Sequence, residues 1–276
     1  GYIALEFAGI FNGLGAQTHL LYRGDKLLRT FDESVRNVIT EEVAAKGIQL
    51  FLNTQVRTVQ RSPDGRFGVS LDTGDSVTAD AVLYATGRRP TFHGLGLENV
   101  AVELNDSGVV RVNEFYQTSE PSIFALGDII HTHELTPVAT AEGMLLARHL
   151  FGPGAQPMDY QYIPTAVFSQ PTMSGVGMTE EQAKASCGEI QVFETRFRHM
   201  KDTLGGGSGR IYMKVIVDAE SDRVVGMHMV GDDAGEIIQG FAAALKSGLT
   251  KRVLDSTIGI HPTAAEEFVT LRQAVR

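Results

Sequence analysis

Near the C-terminus, His261-Pro262-Thr263-Ala264-Ala265-Glu266-Glu267 places an imidazole a few residues ahead of a carboxylate. Proline is suited to the first turn of a helix, so a helix over 262–275 is expected, with His261 just outside it and Glu266 one turn along. A carboxylate folded back on the imidazole fixes its tautomer and raises its pKa, which a histidine exchanging protons with a thiolate needs. The same pairing also occurs as a purely structural contact near helix starts, and Glu267 reads as ordinary first-turn charge. His131, His133, His149, His199 and His228 share no ligand spacing with carboxylates or cysteine, so no metal site is expected.

A second group lies at the other end of the chain. Gly1-x-x-Ala4 heads an apolar-periodic run. It reads either as the second half of a G-x-G-x-x-G/A fingerprint, with backbone N–H groups facing a pyrophosphate, or as a tight turn. The next apolar segment ends in Tyr22-Arg23, with Arg29 further on, where an NAD site usually holds an acid for the ribose 2′-hydroxyl. Two guanidiniums match the 2′-phosphate that NAD lacks, so together with the glycine-led helix the reading is NADPH. Without that helix it is a solvated basic loop pairing with Asp25 or Asp32. Gly127-Asp128 puts a carboxylate after an apolar segment, and Thr136-Pro137 opens a helix whose free N–H groups would point toward the same ligand. An isoalloxazine with its ribitol chain would suit both, and a plain capped turn explains Asp128 equally well.

These groups need elements to hold them. Apolar residues at 2, 3, 5, 7, 10, 11 and 14 have helical spacing, ended by Gly13-Leu14-Gly15. A strand over 17–23 follows, then a helix over 32–46 capped by Asp32 and stopped by Gly47, and a strand over 48–52. Segments 55–61, 67–72 and 76–85, separated by Pro63-Asp64-Gly65 and Thr73-Gly74-Asp75, predict a β-meander that breaks at Thr86-Gly87-Arg88-Arg89-Pro90. A buried strand over 122–126 and a helix over 136–151 form a second αβ block, and Gly152-Pro153-Gly154 marks a boundary. Strands over 166–168, 190–198, 210–218 and 224–230, with helices over 179–186, 233–248 and 262–275, predict a separate α+β domain. Gly205-Gly206-Gly207-Ser208-Gly209 reads as a mobile loop.

The chain has 276 residues, 43% of them apolar, with a net charge of −9, which suits a packed globular core and argues against nucleic acid as a partner. No run approaches the ~20 uninterrupted apolar residues of a membrane span. The opening is no signal peptide, since it lacks a basic region and carries Glu6 within its apolar stretch. Cys187, the single cysteine, can form neither an intramolecular disulfide nor a CxxC centre and favours a reducing compartment. There is no initiator methionine and the chain opens within a motif, so the strand and first glycine of the fingerprint are expected upstream.

Gly1-Tyr2-Ile3-Ala4-x-Glu6-x-Ala8, Arg23-x5-Arg29-x-Phe31-Asp32, Ala85-Thr86-Gly87-Arg88-x-Pro90, Leu126-Gly127-Asp128, Leu135-Thr136-Pro137-Val138-Ala139 and His261-Pro262-Thr263-x-x-Glu266-Glu267 occur in the order found in glutathione reductases. Over nearly its whole length the chain resembles that family of flavoprotein disulfide reductases. The paired arginines separate it from the similar dihydrolipoamide dehydrogenases, which have an acid near Tyr22 and use NAD.

The resemblance implies an α/β fold. Its parts are a Rossmann-like NAD(P)-binding domain without its first strand (1–88), the returning part of an FAD-binding domain (89–152) and an α+β dimerisation domain (153–276). It implies FAD and NADPH as cofactors, glutathione disulfide as substrate, a homodimer, and a cytoplasmic setting, with an organellar form as the alternative. By resemblance Gly1, Ile3 and Glu6 line the NADPH site, Tyr2 gates the nicotinamide pocket, Arg23 and Arg29 hold the 2′-phosphate, and Gly87 and Arg88 are cofactor contacts. Asp128 and Thr136 hold FAD, and Glu134 and Ala166 lie near the nicotinamide. His261, oriented by Glu266 and counted with the cofactor contacts, protonates the leaving thiolate in the partner subunit's site.

Two departures stand out. The family's C-x4-C pair and FAD-adenine fold are expected upstream, and Cys187 cannot replace them. Met144 stands where some glutathione reductases carry a substrate-contacting arginine. A reductase of another low-molecular-weight disulfide and a non-catalytic dimerising fragment are the alternative readings.

Overall fold

The computed structural model describes residues 1–130, 133–207 and 209–276; His131 and Ser208, one residue of the glycine-rich loop, lie outside the described residues. The chain divides into two compact units, residues 1–86 with 161–276, and residues 87–160.

In the first unit, α1 (Tyr2–Gly13) buries Leu5 and Ala8, and β1 (His19–Leu21), α2 (Glu33–Ala45) and β2 (Gln49–Phe51) form a parallel βαβ unit with Leu20 opposite Leu50. Asp32 caps α2 by accepting the Ser34 N–H at 3.0 Å. An antiparallel meander of β3 (Val56–Arg61), β4 (Phe67–Leu71) and β5 (Ser76–Ala79) follows. The strand expected over 76–85 stops at Ala79, because no described strand pairs with the residues beyond it and Leu83 and Tyr84 stay exposed.

In the second unit the strand expected over 122–126 is reduced to a single bridge between Phe124 and Gln117, and Gly127–Ile130 forms a 3-10 turn. Among the described residues no flanking strand extends the ladder. The helix expected over 136–151 is present as α3 (Thr136–Phe151) and presents Val138 and Glu142 to the interior. Val110, Tyr116 and Ile130 form the small core of this unit.

The first unit resumes with β6 (Thr165–Val167), β7 (Met173–Gly177), α4 (Glu180–Cys187), β8 (Ile190–Arg198), α5 (Met200–Gly205), β9 (Arg210–Asp218), β10 (Val224–Val230), α6 (Ala234–Lys246), α7 (Lys251–Ser256) and α8 (Glu266–Thr270). The five strands form one antiparallel sheet in the order β6-β7-β10-β9-β8. β7 was not expected, since its sequence, Met-Ser-Gly-Val-Gly, carries little strand propensity. Gly177 has φ +81°, and a Cβ there would lie 2.2 Å from the Val225 carbonyl oxygen, so the close approach of β10 requires glycine. The helix expected over 262–275 is confined to α8. Beyond it the chain must run extended, because the Val275 N–H donates to the Val192 carbonyl and the Val192 N–H to the Arg276 carbonyl, both at 2.8 Å.

β10 is buried along its whole length. Met227 and Met229 pack in one core with Ile238, Ala242 and Leu245 of α6, whereas Val230 packs with Tyr212, Leu5 and Ile39 in the core that α1 and α2 line. The N-terminal βαβ unit therefore shares a core with the antiparallel sheet. Between them lies Lys214 of β9, 1% exposed. Its Nζ donates to both Asp32 oxygens at 2.8 and 2.9 Å, to Glu180 Oε2 at 2.8 Å and to Ser34 Oγ at 3.2 Å. Arg276 reaches Glu180 at 2.6 Å and Glu194 at 3.0 Å.

This cluster has a pH signature. Burial opposes ionisation of Asp32, but His228 when protonated and the Lys214 ammonium outweigh it and hold the carboxyl below its ordinary value. Arg276, ahead of Lys184 and Lys214, lowers Glu180 strongly against its own burial. Both depressed acids contribute stability that is fully present above their unfolded values of about 4 and is lost as pH falls through the folded ones. Burial lowers His228 too, so stability already declines as pH drops below about 6.5, where the unfolded imidazole takes up its proton first. Urea unfolding at several pH values should show a shallow loss between pH 7 and 5 and a steeper one below 4; a flat profile would contradict these assignments.

Candidate functional site

α1 begins at Gly1 with no side-chain cap, and its first backbone bond runs from the Leu5 N–H to the Gly1 carbonyl at 3.2 Å. The earlier N–H groups of the turn are left for a ligand or water, at the positive end of the helix dipole. Tyr2 is exposed, and Ile3 and Glu6 are half-buried. Glu6 Oε1 accepts the Phe168 N–H at 2.9 Å, which ties α1 to the end of β6, where half-buried Ala166 lies two residues earlier.

Just past β1, Arg23 and Arg29 are exposed, and neither pairs with a carboxylate among the described residues. The acids that could have neutralised them are engaged elsewhere: Asp25 lies 3.8 Å from Arg36, and Asp32 holds Lys214. Arg29 lies within electrostatic reach of the α1 N-terminus. An uncompensated guanidinium within reach of a helix N-terminus is suited to an anion.

In the second unit, Gly127 takes the left-handed conformation, φ +72°, and presents Asp128 at the surface. Arg88, next to Gly87 with φ +138°, spans two acids, with Nη1 2.8 Å from Asp128 Oδ2 and Nε 3.0 Å from Glu134 Oε2. The structure thus brings Arg88, Asp128 and Glu134 together around a cavity of about 210 Å³ that Arg89 and Thr91 also line. Thr136 is the exposed first residue of α3, whose start carries Pro137 and no side-chain cap.

Sequence reasoning missed the group beneath this turn. Glu142 is fully buried and accepts the Gly127 N–H and the Tyr160 O–H, each at 2.7 Å. Its signal was present as an acid four residues after Val138 and three before Leu145, on the apolar stripe of a helix.

The third group stands on α8. His261 Nδ1 lies 2.9 Å from Glu266 Oε1 and 3.2 Å from Oε2. The imidazole side chain is 77% exposed, and Nε2 has no partner among the described residues. Glu266 is steadied because Phe268 and Val269 of the same helix are built into the sheet core. With Nδ1–H donated to the carboxylate, Nε2 is the atom left to exchange a proton with a ligand. Cys187, at the end of α4, offers no nucleophile: burial first, and Asp218 second, push its thiol up.

Residues 1–143 match the pyridine nucleotide-disulphide oxidoreductase family, and residues 163–272 match the dimerisation domain of pyridine nucleotide-disulphide oxidoreductases. The chain belongs to the pyridine nucleotide-disulphide oxidoreductase family. Within it, the chain is similar to glutathione reductases: 49% identical over 276 residues to the chloroplastic/mitochondrial enzyme of Pisum sativum, covering 100% of this chain and 50% of that one. To the glutathione reductase of Burkholderia cepacia it is 47% identical, covering 99% of this chain and 60% of that one. Among solved structures, the HOCl-induced flavoprotein disulfide reductase RclA from Escherichia coli superposes with a TM-score of 0.89 at 28% identity, over 98% of this chain and 62% of that one. The chain therefore spans between 50% and 62% of the length of these relatives. No helix among the described residues is long and apolar enough to cross a membrane.

Proposed function

We propose that this chain supplies the NADPH-binding (1–88), returning flavin-binding (89–152) and interface (153–276) segments of an NADPH-dependent, FAD-containing glutathione-disulfide reductase. The residues fit both cofactors. Arg29, near the α1 start, and Arg23, exposed just past β1, suit the phosphates of NADPH, and exposed Asp128 ahead of the α3 start suits the hydroxyls and phosphates of FAD. The bound nicotinamide and flavin would supply the electron pair that reduces a disulfide to the dithiol attacking the substrate. That dithiol comes from outside these 276 residues, since Cys187 has no second cysteine here.

Within this chain, Gly1, Ile3 and Glu6 shape the dinucleotide cradle, Tyr2 shields the nicotinamide, and Ala166 and Glu134 flank it. Arg88 and Gly87 border the cofactor, and Asp128 and Thr136 bind FAD. His261 Nε2 delivers a proton to the thiolate leaving from the disulfide, while Glu266 holds the imidazole through Nδ1. In a homodimer formed through 153–276, His261 serves the partner's site. The single cysteine and the thiol chemistry support a reducing compartment such as the cytoplasm.

The observation that carries the proposal is the exposed imidazole with Nδ1 clamped and Nε2 unpartnered. In the full-length protein, His261→Gln should lower turnover of glutathione disulfide by about 10²–10⁴-fold while flavin reduction by NADPH keeps its rate. Unchanged turnover would remove His261 from proton transfer. Met144, 53% exposed on α3, stands where some family members carry a substrate-contacting arginine and selects no rival by itself; the second reading is a reductase of another small disulfide. A more than tenfold preference for such a substrate over glutathione disulfide would select it.

A further inference from the structure

We propose that Glu142 is a positioning residue for cofactor binding: a buried carboxylate that sets the Gly127–Asp128 turn through the Gly127 N–H. The inference rests on the reading of Asp128 as a flavin contact.

Burying a carboxylate is costly unless its oxygens are satisfied, and Glu142 is fully buried on α3. Its two oxygens serve two tasks. Oε2 takes the Gly127 N–H at 2.7 Å, and Oε1 takes the Tyr160 O–H at 2.7 Å. Because Tyr160 spends its proton on Glu142, the 3.1 Å contact between the Tyr116 and Tyr160 hydroxyls must have Tyr116 as donor. The relay Tyr116 to Tyr160 to Glu142 thus has one orientation and locks the Oε1 side of the carboxylate.

What remains, Oε2, fixes a peptide that has little freedom of its own. Gly127 is left-handed, and a Cβ placed on it would stand 3.2 Å from the Ala139 side chain, so the turn sits directly against α3. Asp128 is the next residue, and Arg88 grips its Oδ2 from outside. The aspartate is therefore set from two sides, by a cation on its side chain and by a buried anion on the amide that precedes it. A charged acceptor makes that backbone bond shorter and stronger than a carbonyl would.

The test uses the full-length protein stripped of flavin, titrated with FAD by quenching of flavin fluorescence, with amide exchange at Gly127 followed before FAD is added. Glu142→Leu keeps the volume and removes both acceptors. It should weaken FAD binding at least tenfold and abolish protection of the Gly127 amide. Glu142→Gln should restore binding to within threefold, because its oxygen can accept from Gly127 while its amide donates to Tyr160, whose proton then turns to Tyr116. Tyr160→Phe removes the relay but not the Gly127 bond, so it should lower the melting temperature while FAD affinity stays within threefold.

If Glu142→Leu and Tyr160→Phe weaken FAD in proportion to their loss of melting temperature, Glu142 serves packing alone and the proposal is overturned. Wild-type FAD affinity in Glu142→Leu, with Asp128→Ala weakened, overturns it while sparing the flavin reading. If Asp128→Ala binds FAD as wild type does, the flavin reading itself fails.

Discussion

Lys214→Met is expected to lower the free energy of unfolding by about 3–5 kcal/mol, the cost of removing one partner from a buried ion pair and leaving the other charge behind. Methionine fills the space of the lysine stem, so the loss falls on Asp32, whose side chain is fully buried and would face the interior without its cation. The damage should spread to α2, which Asp32 caps, and to α4, because Asp32 Oδ2 also accepts the Glu180 N–H at 2.9 Å. The double variant Asp32→Asn/Lys214→Met should recover a substantial part of the loss, since the asparagine oxygen can keep the cap and no unpaired charge remains. Denaturant melts of the single and double variants measure both values. Additive losses would mean that the ammonium and the carboxylate do not depend on one another, contrary to the geometry.

The second large effect concerns coenzyme choice. Arg23→Gln/Arg29→Gln should raise KM for NADPH by about 10²-fold or more, from the loss of two charge-assisted phosphate contacts of about 1.5–3 kcal/mol each. KM for NADH, which lacks the 2′-phosphate, should change by no more than about twofold on the same reasoning. Both guanidiniums are exposed, so wild-type KM for NADPH should also rise with ionic strength. Steady-state kinetics with the two coenzymes decides the matter. An equal loss with NADH and NADPH would show that the arginines support the fold or a shared part of the coenzyme.

Where backbone pairing and local sequence agreed, the sequence was a good guide. α2 begins where Asp32 caps it, and β8, β9 and β10 have the bounds that their alternating residues predict. The errors came where a partner decided the outcome. Residues 80–85 are apolar enough for a strand but have none beside them, and the tail after α8 is drawn out of helix by its bonds to Val192.

The same limit hid two charged residues. In Ile211-Tyr212-Met213-Lys214-Val215, alternation makes Lys214 read as the solvated face of a half-buried strand, but α2 covers that face. Glu142 likewise reads as one polar residue on an amphipathic helix until the turn it supports is seen. The candidate chemistry was more legible than its supports: Arg23, Arg29, Asp128, His261 and Glu266 stand at element ends, where turn residues mark the positions.

The burial of β10 on both faces has a consequence for how this chain can be taken apart. The boundary drawn along the sequence between its N-terminal βαβ segment and its C-terminal sheet is not a boundary between folding units, because one layer of side chains belongs to both. Transplanting either segment into another scaffold would expose half of that layer. Recombination within this architecture must therefore carry α1, α2 and the antiparallel sheet as a single inherited block, however far apart they lie in the gene.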